Sequence, residues 1–204
     1  MKSDRKQQIL NTAIELFNQK GFSSISIRDI SNELNISPGS LTYYFKKKKD
    51  IVLEINNQMM SEFLMHVNFD ISDFRELDNK IEVWCNLQRK YMFVFCDFIV
   101  LTQTYPELQK LNRLLFDKYK KQLNLLLDYY ISKELVKPEP IKGIYENLAE
   151  ILNILLPLTI SINRIIYRED YNTSKIKDLV WGLLIPIFTE KGLEEYKALK
   201  NYKL

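Results

Sequence analysis

The sequence predicts an all-α protein, with a small three-helix head carrying a helix-turn-helix followed by a larger helical body. Apolar residues recur at helical rather than alternating spacing along most of the chain. Two serines, Ser26 and Ser37, stand where N-caps would open two short segments in quick succession. Only five glycines and six prolines punctuate 204 residues, no Gly-rich stretch or repeat occurs, and strands have no support beyond short β-branched runs.

The head begins with a helix from Arg5 to Gly21, where Ile9, Leu10, Ala13, Ile14, Leu16 and Phe17 form one apolar stripe and Gly21 can close the last turn in a left-handed conformation. Ser26-Ile27-Arg28-Asp29 pairs a cap with an acid three positions on, and Ile27, Ile30 and Leu34 give a second, short helix its buried side. Asn35 and Ile36 alone separate that helix from the next cap, which makes a helix-turn-helix. In the third helix Ser37 caps, Pro38 presets the first φ, and Gly39 and Ser40 keep the leading turn free of bulk. A helix with such an end can approach another backbone closely. The hydroxyls of Tyr43 and Tyr44 and the run Lys46 to Lys49 suit phosphate oxygens, so the segment fits a DNA groove; taken alone, a surface helix ending in solvated lysines is an equal alternative.

The body reads as further helices. A connector runs from Ile51 to about Asn68, with Ile55, Met59 and Phe63 on one face and His66 as a partly exposed position. Ile71-Ser72-Asp73 opens a helix to about Lys90, and ten of the eleven residues from Tyr91 to Leu101 are apolar, the pattern of a buried stretch. Tyr105-Pro106-Glu107 starts a helix to about Leu135; Pro138 and Pro140 follow, then long helices near 141–167 and 174–190. Both are apolar around so much of their girth, from Ile141 through Ile165 and Ile166 and from Leu179 through Phe188, that one face would meet the core and another a partner.

Composition narrows the function. Residues 1–50 hold nine Lys/Arg against five Asp/Glu, whereas residues 51–204 hold twenty against twenty-one, so the net charge of +3 sits in the head, as a nucleic-acid partner would favour. No apolar run reaches the roughly 18 residues of a membrane span. Cys85 and Cys96, about 16 Å apart if on one helix, make no disulfide framework, and a reducing cytoplasm is expected. One histidine, no Cys/His cluster, no nucleophile elbow and no phosphate loop leave little from which to build an enzyme, a metal site or a cofactor site.

Residues 3–52 resemble the TetR family of bacterial transcriptional regulators. The resemblance rests on Arg5, Ile9-Leu10, Ala13, Leu16-Phe17, Gly21-Phe22, Ser26, Ile30, Ser37, Gly39, Leu41, Phe45 and Lys48. Thr42, Lys47 and Lys49 depart from it, and Lys47 takes the place of a small capping residue, predicting a poorly capped start to the fourth helix. The resemblance implies a DNA-binding domain at residues 1–47, reading DNA through Ser26, Arg28, Ser37, Pro38, Gly39, Ser40, Thr42, Tyr43, Tyr44 and Lys48. Residues 48–204 would bind an effector and dimerise, the helices near 141–167 and 174–190 forming a four-helix bundle across a two-fold axis. That symmetry implies a near-palindromic operator. The expected effector is a small, mostly apolar molecule, lined by Trp84, Phe95, Phe98, Tyr105, Phe116, Tyr119 and Asn153, although an aromatic at helical spacing is more often core than pocket. Arg89, Asp97 and Gln103 are further polar candidates, and Asp97 could instead be a buried carboxylate beside a base. The expected protein is a cytoplasmic repressor without cofactor; the alternative is a helical interaction module or a regulator without an effector.

Overall fold

The computed structural model describes residues 2–66, 72–164 and 172–201. Among these the chain forms α1 (Lys2–Lys20), α2 (Ile27–Glu33), α3 (Pro38–Tyr44), α4 (Lys48–His66), α5 (Phe74–Lys90) and α6 (Met92–Cys96). It continues through α7 (Phe98–Thr104), α8 (Pro106–Ser132), α9 (Ile144–Ile162), α10 (Thr173–Leu184) and α11 (Glu190–Asn201), with a 3-10 turn at Ile185–Ile187. The His66 side chain, Ile71, Ile165 and Ile166, on which parts of the expected pattern fall, lie outside the described residues. The chain divides into two compact units, Met1–Met65 with Leu87–Leu111 and His66–Asn86 with Asn112–Leu204.

In the first unit the α1 stripe forms as its spacing predicts: Ile9, Ala13 and Phe17 are fully buried, and Ile30, Leu41, Ile51 and Ile55 complete the core around them. Gly21 takes a φ of +81° and ends α1, while Asn35 at +53° turns the chain from α2 into α3. That left-handed turn is what lets only four residues, Leu34 to Ser37, join the helices. A capping box closes the start of α2, with Asp29 Oδ2 accepting from the Ser26 amide at 2.7 Å. Ser37 caps α3 by accepting from the Ser40 amide at 3.0 Å. The weak start expected for α4 is remedied from within, since the Lys47 amide donates to Asp50 Oδ2 at 2.9 Å, supplying half of a capping box.

The stretch from Tyr91 to Leu101 departs from expectation. It breaks at Asp97 into two short helices, and Ile99 and Val100 are 68% and 44% exposed rather than buried. A run of apolar residues specifies burial on average; the break rotates these two outward.

The second unit is built on aromatic packing. Phe74 stacks on Phe188 with centroids 4.7 Å apart, Trp181 lies 5.3 Å from Phe74, and Tyr130 and Tyr196 close the cluster. Buried Asp78 accepts from Trp181 Nε1 at 3.0 Å and from Lys177 Nζ at 2.9 Å, fastening α5 to α10, and Lys177 also reaches Glu82 at 2.7 Å. The last two expected helices change their bounds. The first begins at Ile144, because Gly143 at φ +94° precedes it and Glu139 caps the amides of Gly143 and Tyr145 at 2.9 Å, leaving Ile141 outside. The second ends at Leu184 instead of Glu190: Pro186 carries a 3-10 turn, and Phe188 makes an isolated bridge to Val136. Beyond it lies α11, which the sequence reading had not assigned. It docks through Gly192, where a β-carbon would stand 2.1 Å from the Leu135 carbonyl oxygen.

Candidate nucleic-acid interface

The head places its hydroxyls and cations on its outer surface because the apolar stripes of α1 to α3 consume the inner one. Ser26, Arg28, Ser37, Pro38, Gly39, Ser40 and Thr42 are all exposed, Tyr43 is 68% exposed and Tyr44 is half-buried. The two phenol rings meet edge to face at 5.2 Å, which fixes their relative direction. Ser37 and Ser40 share a hydroxyl–hydroxyl bond of 2.8 Å, and the Thr42 hydroxyl donates to the Gly39 carbonyl at 3.1 Å. Hydrogen bonds from the Ser26 side chain and backbone hold the Asp29 carboxyl below the usual aspartate range. A concavity of about 610 Å³ is lined by Arg5 of α1 together with Ile36, Ser37, Gly39, Ser40, Tyr43 and Tyr44. Arg5 carries the resemblance in the sequence, but nothing in its spacing marks it as a neighbour of α3.

Lys48 is placed differently from the other candidates. Its ammonium donates to the Phe22 carbonyl and lies 3.8 Å from the centre of the Phe22 ring. Burial lowers its pKa, with Asp97 and Asp29 opposing the shift through their charge. Asp97 accepts the Phe22 amide at 2.9 Å, so both polar atoms of that peptide corner are held, one by α4 and the other by the α6–α7 junction. Asn18 adds a second tie, donating to the Lys90 carbonyl at 2.8 Å and accepting the Phe93 amide at 2.9 Å. Asp97 is thus half-buried rather than buried; it accepts the Phe22 amide, and Lys48 is a base that feels its charge. Asn18 gave no sequence signal, since a polar residue on the outer turn of an amphipathic helix looks solvated until its partner is known.

The candidate effector residues divide between the units. Phe95, Phe98 and Tyr105 belong to the first, where Phe95 is buried and Tyr105 packs edge-on against Phe22 at 6.0 Å. Trp84, Phe116, Tyr119 and Asn153 belong to the second. There the Trp84 and Tyr119 rings lie 5.8 Å apart, burial pushes the Tyr119 phenol up, and Asn153 Nδ2 donates to the Phe116 carbonyl at 2.9 Å. Among the described residues no group of three or more His, Cys, Asp or Glu side chains is placed to hold a metal ion, and no helix is long and apolar enough to cross a membrane. Cys85, buried, and Cys96, half-buried, are in no disulfide.

A capped helix-turn-helix with an outward polar face, joined to an all-helical body, defines a DNA-binding transcriptional regulator. Residues 9–55 match the family described as bacterial regulatory proteins, tetR family, and residues 57–196 match the family described as bacterial transcriptional repressor. The chain belongs to the TetR family of bacterial transcriptional regulators. It is 28% identical over 104 residues to the HTH-type transcriptional regulator QacR of Staphylococcus aureus, covering 51% of this chain and 50% of QacR. Its fold matches a TetR-family regulator from Marinobacter aquaeolei VT8 with a TM-score of 0.83 at 20% identity, covering 97% and 98% of the two chains. A Saccharomonospora viridis protein solved in complex with choline gives a TM-score of 0.76 at 20% identity, covering 92% and 100%. The chain spans between 28% and 64% of the length of the first curated relatives it matches.

Proposed function

We propose that this chain is a cytoplasmic repressor that grips a near-palindromic operator as a homodimer and releases it when a small, largely apolar effector binds. DNA binding is assigned to residues 1–47, and effector binding and dimerisation to residues 48–204. The observation that carries the reading is the outer face of α2 and α3, where Arg28, Ser40, Thr42 and Tyr43 are exposed together. In the complex these four face the major groove, Pro38 and Gly39 keep the approach clear, and Ser26, Ser37, Tyr44 and Lys48 hold phosphates. For Lys48 this requires leaving the Phe22 carbonyl. Its flexible four-carbon stem permits that exchange.

Dimerisation is supported by α9, whose Ile144, Ile151, Ile154, Leu158 and Ile162 are exposed, and by Leu179 on α10. Aliphatic side chains in such a row gain by covering one another. Candidate effector contacts are Trp84, Phe116, Tyr119 and Asn153 in the second unit, and separately Phe95, Phe98 and Tyr105 in the first. It must bind the DNA-incompetent form more tightly, a coupling of typically about 1–3 kcal/mol. The inward Lys48 favours one second reading, a helical interaction module that binds no operator.

Retardation of the chain's own upstream DNA separates the two. The repressor binds specifically and more weakly at high salt, whereas a module retards no duplex at any salt. On a mapped operator, Arg28→Ala is expected to cost about 1–3 kcal/mol and relax base preference. Unchanged affinity and preference would refute the groove assignment. Mass spectrometry of small molecules copurifying with the native protein identifies the effector class.

A further inference from the structure

Arg5 stands on α1, yet it forms one wall of the concavity whose other wall runs along α3 from its Ser37 cap to Tyr44. Its neighbours among the bases are engaged: Lys6 pairs with Glu54, Lys49 with Glu107 at 2.6 Å, and Lys48 with the Phe22 carbonyl. Arg5 is exposed and, among the described residues, has no carboxylate partner. No acidic residue lines the concavity.

Its polar groups are mostly donors. The guanidinium offers a fork of N–H groups, Tyr43 and Tyr44 each offer a phenol, and Ser37 and Ser40 spend one hydroxyl hydrogen on each other and keep one. The Ser37 oxygen already accepts from the Ser40 amide. Base edges present donors and acceptors in alternation, whereas a phosphodiester presents acceptors alone. A donor-rich, acid-free concavity whose Arg5 wall stands on a different helix from the base-reading one suits the sugar-phosphate rail beside the groove.

We infer that Arg5 is a DNA-binding residue that clamps a backbone phosphate across this concavity, setting the register of α3 without reading sequence. The inference rests on the regulator reading above and adds to it a contact from the first helix. The guanidinium fork engages two oxygens of one phosphate, and the Tyr43 and Tyr44 phenols close on the same strand.

The test uses the full chain, a mapped operator and a scrambled duplex of equal length, titrated from 50 to 200 mM salt. Each phosphate neutralised contributes about 0.9 to the slope of log affinity on log salt. Arg5→Ala is therefore expected to lower that slope by about 2 on both duplexes, one phosphate for each protomer of the dimer, and to keep the ratio of operator to scrambled affinity. The advantage of the wild type shrinks by about 12-fold across that salt range. Arg5→Lys keeps the slope because it keeps the charge, and a thermal melt identical to wild type excludes misfolding of α1. An unchanged slope in Arg5→Ala, with the wild type binding normally, overturns the phosphate contact alone. A changed operator-to-scrambled ratio also overturns it, assigning Arg5 to a base instead. A wild type that binds neither duplex overturns the regulator reading and this inference together.

Discussion

The α2–α3 face of the first unit and the α9 face of the second both point outward, and they are made of opposite materials. The first presents Arg28, Ser37, Ser40, Thr42 and Tyr43, groups that water satisfies while they wait for a polyanion. The second presents Ile144, Ile151, Ile154, Leu158 and Ile162, which water satisfies poorly. The difference teaches how each is specified. A polar face gains little from being covered unless donors meet acceptors in register, so its geometry must be held from behind, by caps and by the ties at Phe22. An aliphatic face gains from coverage of almost any matching shape. Its side chains need no anchoring beyond the helix.

The sharpest way to break this comparison is to put a charge on the aliphatic face. Leu158→Glu is expected to weaken self-association at least about 100-fold, since two-fold symmetry buries the unpaired carboxylate twice. Sedimentation should then show monomers, operator binding should fail with them, and the helical content should be unchanged. A mutant that stays dimeric removes α9 from the interface.

Next in size is the tie behind the aliphatic face. Asp78→Ala leaves Lys177 with Glu82 alone and the buried Trp181 indole without its acceptor, so it should cost about 1–3 kcal/mol of stability, read by denaturant melts followed by tryptophan fluorescence. Burial works against the Lys177 cation, but its hydrogen bonds to Glu82 and Asp78 prevail and hold its pKa above the usual 10.5. The sign follows from linkage: this contribution is fully present below about 10.5 and is lost as pH rises through the higher folded value. Wild type should therefore lose stability on the alkaline side, and Asp78→Ala should lose less there.

The smallest effect belongs to the polar face. Ser26→Ala removes the cap of α2 and should cost about 1 kcal/mol. Because Asp29 is held below its ordinary value by Ser26, its contribution is present above about pH 3.8 and is lost as pH falls through the lower folded value. In Ser26→Ala that acid-side loss should flatten. A wild-type acid limb in the mutant would show that the box does not tie Asp29 to folding.

The two faces also differed in how far the sequence disclosed them. Caps and short-range spacing are local, so Ser26, Ser37 and Gly21 could be assigned from neighbours a few residues away, and the helix-turn-helix followed. The start of α9 was missed by three residues because Glu139 caps it from outside, and α10 was overextended because Ile185, Ile187 and Phe188 are as apolar as the helix they follow. Phe188 belongs to the core through Val136 and Phe74, partners 52 and 114 residues distant, which no window of spacing contains. Lys48 shows the same limit at the candidate interface. A lysine four places past α3 reads as a phosphate ligand, and only the folded chain brings Phe22 beneath it.

The interleaving of the two units carries a consequence for the order in which the chain can be made. Residues 87–111 return to the first unit after 66–86 have entered the second, so the first can close once residue 111 has left the ribosome. Helix α5 cannot. Its opening amide at Phe74 awaits Glu195, 121 residues later, and Asp78 awaits Lys177 and Trp181. At about 5–20 residues per second, several seconds of synthesis separate α5 from the partners that cover it. During that interval Phe74, Leu77 and Ile81 are an open apolar strip on the nascent chain, tethered to a first unit whose residues have all been made.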